Sequence, residues 1–260
     1  MVVMSKESRF CKILLGSKGV PSDLYASCFG DVKVATQEEI WPVYDGLPMV
    51  PIFQINIKEL PYIPSVLKGF TFLTYFFRAT GFEQGALNGQ GWVLRAYTKN
   101  DRLVPLKAPS FPPIHDKWGL LQKHFLKFEE ALETKSKPVF CSKFGGFMSP
   151  LQYKSSFTEE QLFPEDIQIL DSKQYVKSDY FEVIQKKEPE IPMSDFWKSR
   201  GWDKLKKPEK EVKSTFAFQL DSETFVAETG WYFYDTQGMV YFFRGRDRAV
   251  KLWYSEIQFL

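Results

Sequence analysis

Two pairs of short segments decide the fold that this sequence predicts. Phe53-Gln54-Ile55-Asn56 is followed, 22 positions later, by Tyr75-Phe76-Phe77-Arg78, and Phe218-Gln219-Leu220-Asp221 is followed, 23 positions later, by Tyr241-Phe242-Phe243-Arg244. Self-similarity along a chain is typical of a repeated structural unit. Because two different tetrapeptides recur in the same order at nearly the same spacing, we predict a tandem duplication in which each half contributes one sheet unit.

Both kinds of segment have the character of β-strands. Apolar and polar residues alternate in residues 53–56 and 218–221, which places the apolar side chains on one face of a strand. Aromatic residues favour strands, so Phe70–Phe77 and residues 239–243 are also predicted as strands. Residues 91–106 predict a further hairpin around a short polar turn.

One amphipathic helix is predicted between the two halves. Asp116 has the chemistry of an N-cap, and the helix is expected to end before Pro138. Four apolar residues recur at helical spacing and form one stripe: Leu121, Phe125, Phe128 and Leu132. The predicted fold class is therefore α+β, with two related, mainly antiparallel β-sheet units and a few helices packed into one compact body.

Length and composition fit one compact domain made of two repeat halves. We assign residues 1–115 to the first half and residues 116–260 to the second, which carries a polar insertion at about residues 182–213. Of the 260 residues 17% are aromatic, which allows a large core. The net charge of +2 gives no electrostatic reason to expect nucleic acid or an anionic membrane as a partner.

Residues that commonly carry catalysis or bind metals are sparse. Cys11, Cys28 and Cys141 are widely spaced, which fits a reducing cytoplasm, and we interpret them as small buried apolar residues. His115 and His124 have no partner at metal-ligand spacing, and His124 is predicted as a surface or half-buried residue of the helix. We therefore predict no metal, no cofactor and no catalytic residue, and we expect neither a secretory signal nor a membrane span.

The duplication repeats a set of polar residues that has two interpretations. The set consists of Gln54, Asn56 and Arg78 in the first half and Gln219, Asp221 and Arg244 in the second. In a functional interpretation these residues converge on a groove between the halves and bind a ligand, with arginine holding a carboxylate or phosphate. In a structural interpretation they satisfy backbone groups of nearby loops, and we favour this second interpretation.

Three aromatic residues interrupt the polar insertion. Phe196, Trp197 and Trp202 lie among mixed charges in a stretch that is otherwise typical of a solvated surface excursion. They either attach the insertion to the body or form an exposed surface for a protein partner.

Together these segments resemble the YwqG-like family, a bacterial domain of unknown function. The first half is similar over Trp-Pro-Val-Tyr-Asp-Gly-Leu-Pro-Met at residues 41–49 and over residues 53–56. The second half is similar over Lys143-Phe144-Gly145-Gly146, over Gln219-Leu220-Asp221 and over the turn at residues 235–238. Asn56 stands where the family usually has Asp, which weakens any role that needs paired carboxylates. A reduced first copy of the glycine segment is assigned to residues 17–21.

The resemblance implies a fold and a class of function. It implies an internally duplicated α+β protein that acts as a cytoplasmic interaction or ligand-binding protein, and an immunity role against a toxin for some members. We predict a non-enzymatic module that binds a protein or a ligand. The alternative is a small-molecule-binding or hydrolytic protein that uses the polar groove between the repeats. The sequence leaves the oligomeric state open.

Overall fold

The computed structural model describes residues 7–78, 88–110, 121–134, 139, 141–146, 214–221, 238–245 and 253–259. These residues form β1 (Glu7–Lys18), β2 (Cys28–Phe29), β3 (Val34–Thr36), β4 (Val43–Tyr44), β5 (Leu47–Pro48), β6 (Val50–Asn56), β7 (Phe70–Phe77), β8 (Trp92–Thr98), β9 (Leu103–Pro105), β10 (His124–Thr134), β11 (Lys143–Gly145), β12 (Ser214–Asp221), β13 (Gly238–Gly245) and β14 (Trp253–Phe259). Two short 3-10 helices, Ile57–Glu59 and Ser65–Leu67, lie between β6 and β7.

Ten of these strands form one antiparallel sheet. Their order is β14-β13-β12-β11-β1-β10-β2-β6-β7-β8, and the sheet is curled into a half-barrel. Two smaller sheets, β3–β9 and β4–β5, complete the described part of the fold. None of the described residues belongs to a helix that is long and apolar enough to cross a membrane.

The predicted α+β class is wrong, because the described residues are almost entirely β and contain no α-helix. The predicted helix is the clearest error, since residues 124–134 form β10. His124 and Leu126 are buried there and alternate with exposed residues, whereas Leu132 is 57% exposed. The helical spacing was therefore coincidental. Strand β1, far away in sequence, pairs with β10 from Glu7↔Thr134 to Leu15↔Leu126 and satisfies its backbone.

Aromatic side chains fill the interior of the curled sheet. The Phe218 and Phe242 rings are stacked, with centroids 4.2 Å apart and planes at 12°. Across the interior, Phe53 meets Phe218 at 6.1 Å and Tyr75 meets Phe242 at 5.0 Å between ring centroids. Contacts of this kind contribute about 0.5–1.5 kcal/mol beyond the apolar area that they bury. Within the described residues, these rings join the two ends of the sheet.

The large sheet is arranged symmetrically about the β1–β10 pair. On each side lie a short strand (β2 or β11), a strand with the repeated glutamine (β6 or β12), an aromatic strand (β7 or β13) and an edge strand (β8 or β14). The register shifts at the same place in both glutamine strands, between Pro51 and Phe53 and between Phe216 and Phe218. The division into halves at residues 115 and 116 stays a prediction, but the strand register is equivalent on the two sides.

The same register corrects the assignment of the first glycine segment. Phe29 pairs with Phe53 in β6 as Phe144 pairs with Phe218 in β12. The counterpart of residues 143–146 is therefore residues 28–31 and not residues 17–21. Sequence comparison missed it because only the phenylalanine and one glycine are retained.

The predicted hairpin over residues 91–106 is also wrong in its pairing. Strands β8 and β9 both exist, but β9 pairs with β3, with Ala35 opposite Val104. Residues of this small sheet cover the outer face of the large one, where Val34 packs with Phe72 and Tyr97. Burial of these side chains is the physical reason that β9 leaves β8 after the turn at Asp101.

Replacing Phe218 with alanine tests the aromatic interior. We expect Phe218→Ala to lower the free energy of unfolding by about 3–5 kcal/mol, since it removes a ring that contacts both halves and leaves a cavity. Urea denaturation followed by tryptophan fluorescence measures the change. Phe125→Ala is the matched control, because Phe125 lies in the same sheet but is 36% exposed. Equal losses in the two variants would contradict the assignment of Phe218 to the core.

Candidate functional site

The repeated glutamine of the first half holds a loop. Gln54 is fully buried, and its Oε1 accepts a hydrogen bond from the Lys33 backbone N–H at 2.8 Å. Its Nε2 donates to the carbonyl oxygens of Leu24 at 2.8 Å and Ala26 at 2.9 Å. These bonds fix the segment that leads into β2. A buried amide satisfied in this way is a structural element.

The second half repeats this arrangement. Gln219 is also fully buried, and its Nε2 donates to the Cys141 carbonyl at 3.0 Å, ahead of β11. The backbone N–H of Asp221 donates to the Ser142 hydroxyl at 2.8 Å, just as the N–H of Asn56 donates to the Ser27 hydroxyl at 2.9 Å. The two glutamines, and the serines that accept from the backbone at residues 56 and 221, therefore hold the backbone in the same way in the two halves.

The structure does not bring the two glutamines together. Phe53 and Phe218 face each other across the interior, and neighbouring residues of a strand point to opposite faces. Gln54 and Gln219 consequently point outward, away from the interior and from each other. Asn56 lies beside its own glutamine and donates to the Tyr25 carbonyl at 3.2 Å.

The two arginines of the repeated set also have separate surroundings. The Arg78 guanidinium lies over the Tyr44 ring, 5.2 Å from its centroid. Arg244 lies over the Phe70 ring at 4.6 Å and donates from Nη1 to the Val66 carbonyl at 2.7 Å. Burial lowers the pKa of Arg244. Among the residues that the structure describes, the six repeated residues thus form no common groove.

A buried ion pair lies beside the glycine segment and was not predicted as a site. The Lys143 ammonium donates to both Glu133 carboxylate oxygens, at 2.9 and 2.7 Å, and to the Val139 carbonyl at 2.9 Å. Both charged side chains are completely buried. Burial lowers the pKa of Lys143, and the adjoining Glu133 carboxylate opposes that effect. Sequence patterns missed the pair because Glu133 belongs to a different strand.

The second glycine of residues 143–146 makes room for this pair. Gly146 has a positive φ of 73°, and a Cβ atom on it would collide with the Glu133 carboxylate. A lysine with a lowered pKa has the chemistry of a nucleophile, but the closed surroundings of Lys143 keep substrates away from it. We therefore interpret the pair as a connection between the end of β10 and β11.

Two of the three most exposed apolar side chains of the described residues, Ile40 and Val43, lie in or next to a small hairpin, and the third is Leu132 of β10. We call residues 38–48, which include β4 and β5, the hairpin surface. Ile40 is 78% exposed, Val43 is 58% exposed and Leu47 is 37% exposed. Val43 pairs with Pro48 and Tyr44 with Leu47, so Val43 and Leu47 lie on opposite faces of the hairpin. Exposed apolar side chains such as Ile40 and Val43 can supply contacts to a protein partner.

The hairpin surface is held firmly on the body. The buried Trp41 donates from its indole nitrogen to the Met49 carbonyl at 2.8 Å and meets Phe76 edge to face at 5.1 Å between centroids. Asp45 and Gly46 form the turn with φ values of 49° and 74°, and a Cβ on Gly46 would meet nothing within 4 Å. The Asp-Gly pair is a known hairpin signal, so the sequence already contained the information that predicts this turn.

The other sequence predictions concern the aromatic residues of the insertion, a metal site and His124. Phe196, Trp197 and Trp202 lie outside the described residues. Within the described part of the chain there is no group of three or more histidine, cysteine or acidic residues arranged to hold a metal ion. His124 is buried in β10 and its Nδ1 lies 3.2 Å from the Gly16 carbonyl, so its predicted place on a helix surface is wrong.

No protein-family model matches the chain, and no curated protein is significantly similar to it. The resemblance to the YwqG-like family therefore stays a prediction.

The buried ion pair gives a stability prediction. We expect Lys143→Met to lower the free energy of unfolding by about 3–5 kcal/mol, because it leaves the buried Glu133 without its counter-charge. Urea denaturation at neutral pH measures the loss. The double variant Lys143→Met/Glu133→Leu should recover most of it, since both charges are then removed.

The control for this prediction is the exposed ion pair between Arg9 and Glu130. The Arg9 Nε donates to Glu130 at 2.7 Å, but the Arg9 side chain is half exposed. Arg9→Met should cost no more than about 1 kcal/mol. A loss in Arg9→Met as large as that in Lys143→Met would show that burial of the Lys143 pair is not the cause.

Proposed function

We propose that this protein is a non-enzymatic module of the cytoplasm that binds a protein partner through the hairpin surface. The observation that carries this proposal is the exposure of Ile40 and Val43 on a hairpin segment that Trp41 fixes to the sheet. A surface that is ordered before binding loses little conformational entropy on association. Apolar side chains on such a surface supply the desolvated contacts at the centre of an interface.

The identity of the partner belongs to the same proposal. The resemblance to the YwqG-like family favours a toxin as the partner and an immunity role for this chain. The hairpin surface overlaps residues 41–49, which carry the first part of that resemblance. The alternative, a ligand-binding or hydrolytic groove, has less support, because the side-chain amides of Gln54 and Gln219 already donate hydrogen bonds to backbone carbonyls.

Site-directed photo-cross-linking tests the proposal. A photoreactive phenylalanine analogue replaces Val43 in one sample and the exposed Glu129 of β10 in the control sample. Each purified protein is irradiated in a lysate of the cells from which the protein comes. We expect one specific protein to be cross-linked from position 43 and not from position 129, because only the hairpin surface is in the interface.

The captured protein is then purified and titrated against the unlabelled protein. Val43→Asp should weaken its binding at least tenfold, since it places a charge at the apolar centre of the contact. Glu129→Gln should leave the affinity unchanged. The proposal fails if position 43 captures no protein that position 129 does not also capture, or if Val43→Asp binds as tightly as the unmodified chain.

A further inference from the structure

We infer that two copies of this chain associate through strand β10, whose open edge pairs antiparallel with the same edge of a second copy about a two-fold axis at Glu130. The inference concerns β10 and is independent of the hairpin surface. Three observations carry it: the open backbone of β10, the apolar side chains beside that edge, and the symmetry of both about one residue.

One edge of β10 is open beyond its first residues. On the side away from β1, strand β2 pairs with only the first two residues of β10, and the Leu126 backbone N–H donates to the Ser27 carbonyl at 3.4 Å. Backbone groups of alternate residues point to the same side of a strand. The backbone groups of Phe128, Glu130 and Leu132 therefore also point away from β1, and within the part of the chain that the structure describes no strand pairs with them there.

The neighbouring chain turns away from this edge. Ahead of β2, the Leu24 and Ala26 carbonyls accept from the Gln54 amide on the outer face of the sheet, so the chain does not continue along β10. Strand β1 has a bulge between Leu15 and Lys18, where its register with β10 shifts. A bulge of this kind protects an edge against pairing. The open part of β10, in contrast, keeps a continuous register with β1.

Apolar side chains lie beside the open edge on the inner face. Phe128 is opposite Ile13 and packs against the core, whereas Leu132 is 57% exposed. In an antiparallel pair centred on Glu130, Leu132 of each copy lies directly opposite Phe128 of the other copy and on the same face. The second copy therefore covers an apolar side chain that a single chain leaves in water.

The three open residues determine the register of the pair. They are symmetric about Glu130, so a pair centred there joins Phe128 to Leu132 and Glu130 to its own copy through backbone hydrogen bonds. A pair centred one residue earlier would require Leu126, whose N–H already donates to a carbonyl of its own chain. A pair centred one residue later would require Thr134, which is the last residue of the strand. Only the first register uses all three open residues and no others.

The centre of this pair carries a charge that is already neutralised. At the two-fold axis the Glu130 carboxylates of the two copies face each other, and like charges directly opposite destabilise a sheet. Each carboxylate accepts a hydrogen bond from the Arg9 Nε of its own chain at 2.7 Å. The contact therefore joins two ion pairs of this chain, and its strength depends on Arg9.

Sedimentation of the purified chain at increasing protein concentration tests the inference. We expect a reversible equilibrium between monomer and dimer. Leu132→Asp should raise the Kd of the dimer at least about tenfold, since it places a charge opposite Phe128. Val43→Asp is the matched control, because Val43 is 58% exposed on the hairpin surface, and it should leave Kd unchanged. A chain that is still monomeric at about 0.5 mM, or a Leu132→Asp variant that dimerises normally, would overturn the inference.

A charge variant tests the position of the two-fold axis. Arg9→Met exposes the two Glu130 carboxylates to each other, so we expect the Kd of the dimer to rise about 3- to 10-fold. Arg9→Met/Glu130→Gln removes both charges and should restore Kd to within about twofold of the unmodified value. An unchanged Kd in Arg9→Met would show that Glu130 does not lie at the axis, which contradicts the inference.

Disulfide formation between copies tests the register. Phe128→Cys and Leu132→Cys are made separately in a Cys141→Ser background, since Cys141 is only half-buried. Facing residues of a hydrogen-bonded pair lie about 5.5 Å apart at Cα, which a disulfide spans. Mild oxidation of the mixed variants should therefore give more covalent dimer than oxidation of either variant alone. Equal yields in the mixed and unmixed samples would rule out this register.

The outcomes are separate from those of the proposed function. A photoreactive residue at position 129 lies beside the β10 edge and should capture a second copy of this chain, whereas position 43 captures a different protein. If the chain is monomeric, the hairpin surface can still bind its partner. If Val43→Asp leaves partner binding unchanged, the dimer is unaffected. Circular dichroism and thermal unfolding establish that each variant is folded before its Kd is interpreted.

Discussion

Contact between aromatic rings across the interior of the curled sheet is the interaction on which the rest of this structure depends. Phe53 belongs to one side of the sheet and Phe218 to the other, and their rings meet at 6.1 Å. A flat antiparallel sheet of ten strands would leave this face in water. Curling brings the apolar faces of both sides together, and burial of large apolar areas is the dominant favourable contribution to folding.

Packing of the interior also determines which side chains point to the outer face of the sheet. Since the aromatic side chains of β6 and β12 point inward, the residues between them point outward, and Gln54 and Gln219 hold the loops that run over that face. The hairpin surface lies on the same outer side, where Trp41 packs on Phe76 of β7. The aromatic core therefore sets the position of the hairpin surface, which is where we propose that a partner binds.

Local patterns predicted the repeated strands β6, β7, β12 and β13, but they missed β1, β11 and β14, made a helix of β10 and gave the wrong overall class. Phe70–Phe77 has the same bounds in the structure as in the sequence prediction, because a run of aromatic residues between Gly69 and a polar residue is informative on its own. The stripe from Leu121 to Leu132 has helical spacing and would fall on both faces of a strand, so the local pattern alone favours a helix. Only pairing with β1, more than one hundred residues away, makes it a strand. The Lys143–Glu133 ion pair could not be predicted either, since it depends on how β10 and β11 lie in space. The Asp45-Gly46 turn, in contrast, could have been predicted from its Asp-Gly sequence.

The pairing of β1 with β10 has a consequence for the synthesis of the chain. Strand β1 is synthesised before its partners, since β10 and β11 are not complete until residue 145 has been made. At 5–20 residues per second the synthesis of residues 19–145 takes roughly 6–25 s. During this time the apolar residues of β1, among them Phe10 and Ile13, have no strand to pair with. A nascent chain therefore leaves the apolar face of β1 exposed to water until β10 and β11 have been made.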